Sequence, residues 1–178
     1  DDALHQKLKY IMNFGISGFS TFAELGINGK NSEFHAAMGL VNLNYIEQIH
    51  NKRRALVEAY NSCLKDSKLT RPKWHSEANQ NFAYYPILFN NEELLLETVD
   101  VLIKEDIHTR RYFYPSLANT LPYLEAKNFE ITDDIAKRVL CLPLYYDLSI
   151  QEVDLISRLI TNQVIMFNNE EITTSRRS

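Results

Sequence analysis

Apolar side chains near the start of the chain recur at helical spacing. Leu4, Leu8 and Ile11 are three or four residues apart and fall on one face of a helix, which predicts a short helix over 1–14. Four of the five glycines of the chain follow within residues 15–31. Glycine tolerates backbone angles that other residues avoid, so this stretch is predicted to be a loop.

The longest periodic stretch runs from Phe34 to Cys63 and contains no proline. Its apolar residues recur at steps of three and four, which predicts a single helix over 32–65, capped at its start by Asn31 or Ser32. At the usual helical rise, such a helix would be roughly 50 Å long. A helix of this length is difficult to bury in one small domain, so we expect it to connect two bodies.

The remaining residues alternate between strand-like and helical patterns. A polar connector over 66–81 precedes a strand at 82–89, in which Pro86 favours an edge position or a bulge. A helix capped by Asn90 or Asn91 follows. The further predicted elements are a strand at 107–114, a short helix at 116–127, a helix at 132–140 capped by Thr132, and a last helix from the Ser149–Glu152 capping box to Met166.

These elements sum to an α+β protein with a helical beginning. Residues 1–31 do not form a body of their own, and 32–65 is the long helix. Residues 66–167 have enough apolar side chains for a compact small domain, and 168–178 are predicted to be a polar, frayed tail.

Composition narrows the class of protein. Hydrophobic residues make up 45% and charged residues 24% of the 178 residues, which is typical of a globular protein that needs no disulfide or structural metal. A net charge of -4 argues against a general nucleic-acid binder. No apolar run approaches the roughly 20 residues needed to cross a bilayer, so a membrane-spanning protein is excluded.

Cysteine and histidine are scarce and widely spaced. Cys63 and Cys141 lie far apart, and neither they nor the five histidines show a metal-ligand spacing. We therefore expect two reduced thiols, no metal site and a cytoplasmic protein. The chain begins at Asp1 without a methionine or a signal peptide, so we expect either a removed leader or a longer parent.

A glycine-containing loop comes directly before the long predicted helix. Residues 26–31 have the sequence Gly-Ile-Asn-Gly-Lys-Asn. Backbone N–H groups at a helix start suit an anion such as phosphate, and Asn28 and Lys30 can add a side-chain donor and a positive charge. The stretch matches neither common phosphate-binding glycine motif. An ordinary turn before a helix is the alternative.

A second candidate, Arg-Arg-Tyr-Phe-Tyr-Pro at 110–115, combines guanidinium groups with phenols. Together such groups can bind a carboxylate or a phosphate. On a strand, alternation separates them into two faces: Arg111, Phe113 and Pro115 on one, and Arg110, Tyr112 and Tyr114 on the other. The alternative is an amphipathic edge strand with aromatic packing, and packing also explains the phenols of Tyr84 and Tyr85.

Four separated segments, in this order, resemble the DegT/DnrJ-type sugar aminotransferases. They are Asn-Phe-Gly at 13–15, GINGKNSEFHAAMGLVNL at 26–43 with Lys52, Arg53, Arg54 and Tyr60 after it, YFYPSL at 112–117, and Leu-Cys-Leu-Pro at 140–143. The resemblance covers residues 1 to about 165, which includes most of the last predicted helix. It is specific because all four segments agree.

The resemblance implies an α/β parent of the type I aminotransferase fold, of which this chain is the C-terminal half. Such enzymes use pyridoxal 5'-phosphate (PLP), are usually homodimers, and commonly move an amino group from glutamate to a nucleotide-linked keto-sugar. The combination of GIN-x-K and YFYP most resembles members that act on dTDP-3-keto-6-deoxyhexoses. In this fold 1–31 completes the large domain, 32–65 crosses between domains, and 66–167 is the small domain.

The resemblance also implies roles for individual residues. Asn28 would approach the cofactor phosphate in the neighbouring subunit's site, and Lys30 would lie near the substrate there. Tyr112 and Tyr114 would line the sugar-nucleotide pocket, with Arg111 nearby. We expect no catalytic residue and no metal ligand in this chain.

The sequence departs from the family pattern in several places. Asn31 stands where a methionine is usual and His35 where a glutamine is common, both at the start of the long helix. The family's Schiff-base lysine is expected before the first residue, and Lys7, Lys9 and Lys30 are not substitutes. We therefore expect the chain to be inactive alone.

Two further interpretations stay open. Some members of the family are sugar dehydratases with histidine in place of the cofactor lysine, and the deciding position is absent from this sequence. In the other interpretation the chain is a non-catalytic α+β interaction module that only associates with a partner. If the chain is alone, we expect exposed apolar side chains on residues 1–31 and on the long helix, and therefore self-association.

Overall fold

The computed structural model describes residues 1–18, 21–112, 114–116, 125 and 127–175. The chain divides into two compact units, Asp1–Glu47 and Gln48–Ser178. Each unit contains helices and one two-stranded antiparallel sheet, and most of the regular structure is helical.

The elements follow one another in a simple order. The first unit contains helix α1 (Asp2–Met12), strands β1 (Ile16–Gly18) and β2 (Thr21–Phe22), and helix α2 (Glu33–Leu43). Helix α3 (Ile46–Cys63) begins at the end of this unit and lies mainly in the second. The second unit continues with β3 (Tyr85–Leu88), α4 (Glu92–Lys104), α5 (Glu130–Arg138), β4 (Val139–Leu142) and α6 (Ile150–Ser175).

Side chains cap both helices of the first unit. The Asp1 carboxylate accepts from the N–H groups of Ala3 and Leu4, and the Ser32 hydroxyl accepts from the N–H of His35. The cap predicted at Ser32 is therefore confirmed. No residue of α1 or α2 is buried. The apolar exposure predicted for 1–31 and the long helix is confirmed for α1 and α2 but is wrong for α3, whose Leu56, Val57 and Tyr60 are buried. Self-association stays a prediction.

The loop predicted at 15–31 contains a small hairpin. β1 pairs with β2, with Ile16 opposite Phe22 and a shift of register before Gly18. The prediction of a loop without strands is wrong at these positions. Strands of two or three residues carry too little alternation to be recognised from sequence.

The single helix predicted over 32–65 is wrong, because α2 and α3 are separate helices. At the break, the N–H of Asn44 donates to Val41 O at 3.1 Å, and the N–H of Tyr45 donates to Asn42 O at 3.0 Å. These bonds from residue i to residue i−3 tighten the last turn and end the helical ladder. Asparagine side chains compete for backbone hydrogen bonds, which favours a break that apolar periodicity does not reveal.

β3 and β4 form the sheet of the second unit, with Pro86 opposite Cys141. The N–H and C=O groups of Cys141 bond instead to Arg110, at N···O distances of 2.8 and 3.1 Å. Pro86 therefore interrupts no hydrogen bond to Cys141, which explains how a strand accommodates a proline here.

Two predictions about strands are wrong. Among the described residues, the strand predicted at 107–114 is reduced to one bridge, between Arg110 and Cys141. β4 instead begins inside the helix predicted at 132–140, and all four of its residues are buried. A short, continuous apolar run does not distinguish a buried strand from a helix.

Local signals identify two of the helix starts in the second unit. Asn91 caps α4, and the predicted capping box is present, with Ser149 N to Glu152 Oε2 at 2.7 Å and Glu152 N to Ser149 Oγ at 3.1 Å. The cap predicted at Thr132 is wrong, because α5 begins two residues earlier, at Glu130.

The last helix is longer than its sequence suggests. α6 extends to Ser175, so the fraying predicted at 168–178 is wrong up to that residue. The helix predicted at 116–127 lies almost entirely outside the described residues. None of the described helices is both long and apolar enough to cross a membrane.

The hydrophobic core lies in the second unit, among α3, β3, α4, β4 and α6. Its fully buried members include Tyr60, Tyr85, Leu102 and Ile160, and the rings of Tyr60 and Tyr85 stack with centroids 4.6 Å apart. Burial raises the pKa of the Tyr60 phenol above its ordinary value. Because α3 contributes to this core, the compact unit begins at Gln48 rather than at residue 66.

Candidate functional site

Backbone hydrogen bonds attach the 26–31 loop to the end of α1. The N–H of Ile27 donates to Ile11 O at 2.8 Å, and the N–H of Gly29 donates to Met12 O at 2.9 Å. These bonds run between main-chain atoms, so they set the path of the loop independently of its side chains.

Two glycines allow this close approach of the backbone. Gly15 has a φ of 78°, and a Cβ there would lie 1.8 Å from Glu24 O. A Cβ on Gly26 would lie 2.1 Å from the nitrogen of Gly15. Neither position has room for a side chain, which explains why glycine is needed at both.

Asn28 and Lys30, the two candidates in this loop, are both exposed. Asn13 connects them: its backbone forms a bridge with Asn28, and its side-chain oxygen accepts from Lys30 Nζ at 3.0 Å. Lys30 Nζ also lies 5.2 Å from the centroid of the Phe14 ring. An ammonium group has three donors, so Lys30 keeps capacity to bind an anion.

His35, one of the departures from the family pattern, contacts the cap of α2. Its Nδ1 lies 2.7 Å from Ser32 Oγ, while its N–H donates to the same oxygen at 3.4 Å. The imidazole therefore supports the cap at the end of the candidate loop.

The second candidate segment, at 110–115, belongs to the second unit. Arg111 Nη2 donates to Glu92 Oε1 at 2.7 Å and to Lys137 O at 2.9 Å. Its guanidinium carbon lies 3.4 Å from the centroid of the Tyr114 ring. The bonds of Arg111 thus remain within the protein and connect this segment to the start of α4 and the end of α5.

The same contacts change the acidity of Glu92. Hydrogen bonding by Arg111 is the largest cause that holds the pKa of the Glu92 carboxyl below its ordinary value, and a bond from Tyr114 acts in the same direction. Glu92 is therefore an ionised partner for Arg111 at neutral pH.

Tyr112 belongs to a separate aromatic group. The Tyr84 hydroxyl donates to the Tyr112 hydroxyl at 3.5 Å, with ring centroids 4.9 Å apart, and the Arg110 guanidinium carbon lies 4.5 Å from the Tyr112 ring. The bond to Tyr112 is the largest cause that raises the pKa of the Tyr84 phenol above its ordinary value.

The structure groups the predicted site residues in a different way from the two faces that strand alternation predicts. Tyr114 lies against Arg111 rather than on the face of Arg110 and Tyr112, because the segment turns at Tyr112 and is not a strand. Phe113 lies outside the described residues. The sequence interpretation overlooked Glu92, which lies nineteen residues from Arg111 and has no local signal of this contact.

Packing, which was expected to explain both Tyr84 and Tyr85, does not explain Tyr84. Tyr85 is buried in the core, whereas Tyr84 is 53% exposed and reaches Tyr112. Alternation in the predicted strand could have distinguished the two phenols, because adjacent strand residues point to opposite faces.

Solved aminotransferase structures share this fold. The chain superposes on a structure of DesI with its TDP-sugar product with a TM-score of 0.83 at 24% identity, covering 100% of this chain and 46% of that one. On the aminotransferase TlmJ from Streptoalloteichus hindustanus the TM-score is 0.84 at 17% identity, covering 94% of this chain and 46% of that one. The fold is therefore part of the type I aminotransferase fold.

A family model agrees with the structural likeness. The DegT/DnrJ/EryC1/StrS aminotransferase family matches residues 1–161, and the chain belongs to this family. The predicted family is thereby confirmed.

Two curated relatives carry the same name, dTDP-4-amino-4,6-dideoxy-D-glucose transaminase. The one from Escherichia coli is 34% identical over 166 residues, which cover 89% of this chain and 45% of the relative. The one from Shigella dysenteriae is 32% identical over 154 residues, which cover 82% of this chain and 41% of the relative. The chain spans slightly less than half the length of these relatives.

Proposed function

We propose that this chain is the C-terminal half of a PLP-dependent aminotransferase that moves an amino group from glutamate to a nucleotide-linked keto-deoxysugar. The observation that carries the proposal is the family match over residues 1–161, together with relatives that are named as dTDP-sugar transaminases. A dTDP-linked keto-6-deoxyhexose is the substrate class we favour.

The residues of the 26–31 loop fit the phosphate of PLP. Asn28 offers an exposed amide donor and Lys30 an ammonium group, and the loop is fixed by backbone bonds. When bound, PLP supplies the electron sink for amino transfer. In a homodimer with shared sites, Asn28 would hold the phosphate of the neighbouring subunit's cofactor, and Lys30 would hold the substrate there.

Two lysines of the first unit fit supporting roles. Lys7 forms an ion pair with Glu24 at 3.4 Å, and Lys30 donates to Asn13. We therefore propose that the lysine that reacts with the cofactor lies outside these residues and that the chain is inactive alone.

The 110–115 segment fits the nucleotide-sugar substrate. The phenols of Tyr112 and Tyr114 are the groups we propose to contact it, since both are at least partly exposed. Arg111 stays near the substrate but acts mainly by fixing Tyr114, because its guanidinium already binds Glu92 and Lys137 O.

The test is amino transfer by the full-length protein, with glutamate and a dTDP-linked keto-sugar. Asn28→Ala should weaken PLP retention about tenfold, since one charge-assisted hydrogen bond to the phosphate is lost. Asn162→Ala, at an exposed position of α6, is the matched control and should retain PLP like the unchanged protein.

Unchanged PLP affinity and turnover in Asn28→Ala would show that the role given to this residue is wrong. Loss of a hydroxyl from the sugar instead of gain of an amino group would identify the full-length protein as a dehydratase of the same family. Absence of either reaction would favour the non-catalytic alternative.

A further inference from the structure

Glu92, in the first turn of α4, contacts two residues of the 110–115 segment. Its Oε1 accepts from Arg111 Nη2 at 2.7 Å, and its carboxylate also accepts from the Tyr114 hydroxyl. The guanidinium carbon of Arg111 lies 3.4 Å from the centroid of the Tyr114 ring. Each of the three side chains therefore contacts the other two.

The guanidinium of Arg111 is also held by the main chain. Its Nη2 donates to Lys137 O at 2.9 Å, near the end of α5. The Arg111 side chain is only 19% exposed, and a charge that is largely removed from water needs an ionised partner. Glu92 is that partner, so the place of Arg111 beside Tyr114 depends on the Glu92 carboxylate.

The bond between Tyr114 and Glu92 has a fixed direction. Glu92 is ionised at neutral pH, and an ionised carboxylate can only accept a hydrogen bond. The single hydroxyl proton of Tyr114 therefore goes to Glu92. The Tyr114 oxygen keeps lone pairs and has no second proton to give, so it can bind only a ligand group that is itself a donor.

Tyr114 is fixed and still accessible. The guanidinium of Arg111 lies against its ring and Glu92 holds its hydroxyl, whereas the residue as a whole is 45% exposed. A side chain whose orientation is set before binding loses little freedom when a ligand arrives. Tyr114 is therefore a preorganised hydrogen-bond acceptor.

This polarity distinguishes between the parts of a nucleotide-linked sugar. The phosphate groups of such a ligand offer acceptor oxygens, which would face the lone pairs of the Tyr114 oxygen. The hydroxyl groups of the sugar are donors as well as acceptors. A sugar hydroxyl therefore suits this phenol, and a phosphate does not.

We propose that Glu92 is a positioning residue for the nucleotide-sugar substrate, which acts by holding the phenol proton of Tyr114 so that the phenol oxygen accepts from a sugar hydroxyl. The inference rests on the proposed function, since it takes Tyr114 as a substrate contact. Glu92 acts through Tyr114 and need not contact the substrate itself.

The contact between Arg111 and Tyr114 gives a spectroscopic test that needs no substrate. Protons above the face of an aromatic ring resonate upfield, so the side-chain N–H signals of Arg111 should be shifted upfield in the NMR spectrum of the 178-residue chain. Glu92→Gln should reduce this shift, because the guanidinium loses its charged partner. Glu93→Gln is the matched control, since Glu93 is exposed in the same turn of α4. An equal Arg111 shift in these two variants would overturn the proposal.

Kinetics of the full-length protein test the effect on the substrate. Glu92→Gln should raise the KM for the nucleotide sugar about tenfold, because the new amide N–H competes for the phenol oxygen. The KM for glutamate and kcat should stay within about twofold. A purely structural role would lower the amount of active enzyme and leave both KM values unchanged. That result, or an equal rise in both KM values, would contradict the proposal.

A double-mutant cycle tests whether Glu92 acts through the Tyr114 hydroxyl. Tyr114→Phe removes this hydroxyl and should raise the KM for the nucleotide sugar about tenfold. Adding Glu92→Gln to Tyr114→Phe should then raise it by less than about twofold, because the group that Glu92 holds is already absent. Multiplication of the two single effects would show that the residues act independently and would overturn the proposal.

Near-UV circular dichroism must show that the variants are folded. If Glu92→Gln is not, Glu92→Asp decides the question, because it keeps the charge and withdraws the carboxylate from Tyr114 by one methylene group. The KM for the nucleotide sugar should rise in this variant too. An unchanged value would overturn the proposal.

The two kinds of measurement separate this proposal from the proposed function. An active aminotransferase in which Glu92→Gln leaves the KM for the nucleotide sugar unchanged would contradict the positioning role alone. A full-length protein without aminotransferase activity would contradict the proposed function alone, if the Arg111 signals still move in Glu92→Gln and not in Glu93→Gln.

Discussion

The two units of this chain use similar apolar patterns with opposite results. In the second unit, Leu56, Leu102 and Ile160 are completely buried. In the first unit, Leu25 is 96% exposed and Leu40 is 68% exposed, and neither α1 nor α2 buries a residue. Apolar periodicity thus predicts which face of a helix is apolar, whereas burial depends on what packs against that face.

The two candidate site segments, 26–31 and 110–115, also differ in how much buried side chains support them. In the first unit, main-chain bonds and two glycines fix the 26–31 loop, with little support from buried side chains. In the second unit, the 110–115 segment is fixed by side-chain pairs next to a packed core. Backbone geometry positions the first site, and packing positions the second.

The largest expected effect on the free energy of unfolding comes from truncating a buried leucine of the second unit. Truncating an exposed leucine of the first unit is the comparison. Leu102→Ala should lower the free energy of unfolding by about 2–5 kcal/mol, because it leaves a cavity in the core. Leu40→Ala, at an exposed position of α2, should stay within about 0.5 kcal/mol. Urea unfolding of both variants measures the contrast, and similar losses would mean that the first unit has a core of its own.

A glycine pair in the first unit should show a smaller effect. Gly26→Ala should cost about 1–3 kcal/mol, because its Cβ would meet backbone atoms that cannot move independently. Gly39→Ala should instead stabilise α2 by about 0.5–1 kcal/mol, since its Cβ would meet nothing within 4 Å. Native-state hydrogen exchange at the amides of Ile27 and Gly29 gives the local stability. Unaltered exchange in Gly26→Ala would show that the close approach of Gly26 to the Gly15 backbone does not fix the loop.

Features that depend on sequence neighbours were predictable. The caps at Ser32 and Asn91 and the Ser149–Glu152 box each join residues three positions apart, so a short sequence motif contains the whole interaction. Resemblance to a family identified the fold and the candidate segments in the same way, through contiguous motifs.

Features that depend on distant partners were not predictable. β4 is a strand because it pairs with β3, more than fifty residues earlier in the chain, and its own residues fit a helix equally well. Arg111 is occupied by Glu92 and by Lys137 O, at sequence separations of 19 and 26 residues. Arg71 likewise stacks on Tyr85, which lies 14 residues further along the chain.

The smallest expected effect on the free energy of unfolding tests the ion pair that holds the 110–115 segment. Glu92→Gln should lower the free energy of unfolding by about 1 kcal/mol at neutral pH, because the bond to Arg111 loses its charge. The pKa of Glu92 is depressed in the folded chain, so this contribution is present above the ordinary value of 4.5 and is lost as the pH falls through the folded value.

The unfolding free energies of the unchanged chain and of Glu92→Gln should therefore differ by a constant amount above pH 4.5 and converge as the pH falls through the lower folded value. Glu93→Gln is the matched control, since Glu93 is an exposed acidic residue in the same first turn of α4 and shares the effect of the helix dipole. An equal loss in both variants would assign the effect to the dipole. A loss confined to Glu92→Gln would assign the effect to the ion pair between Glu92 and Arg111, which forms only on folding.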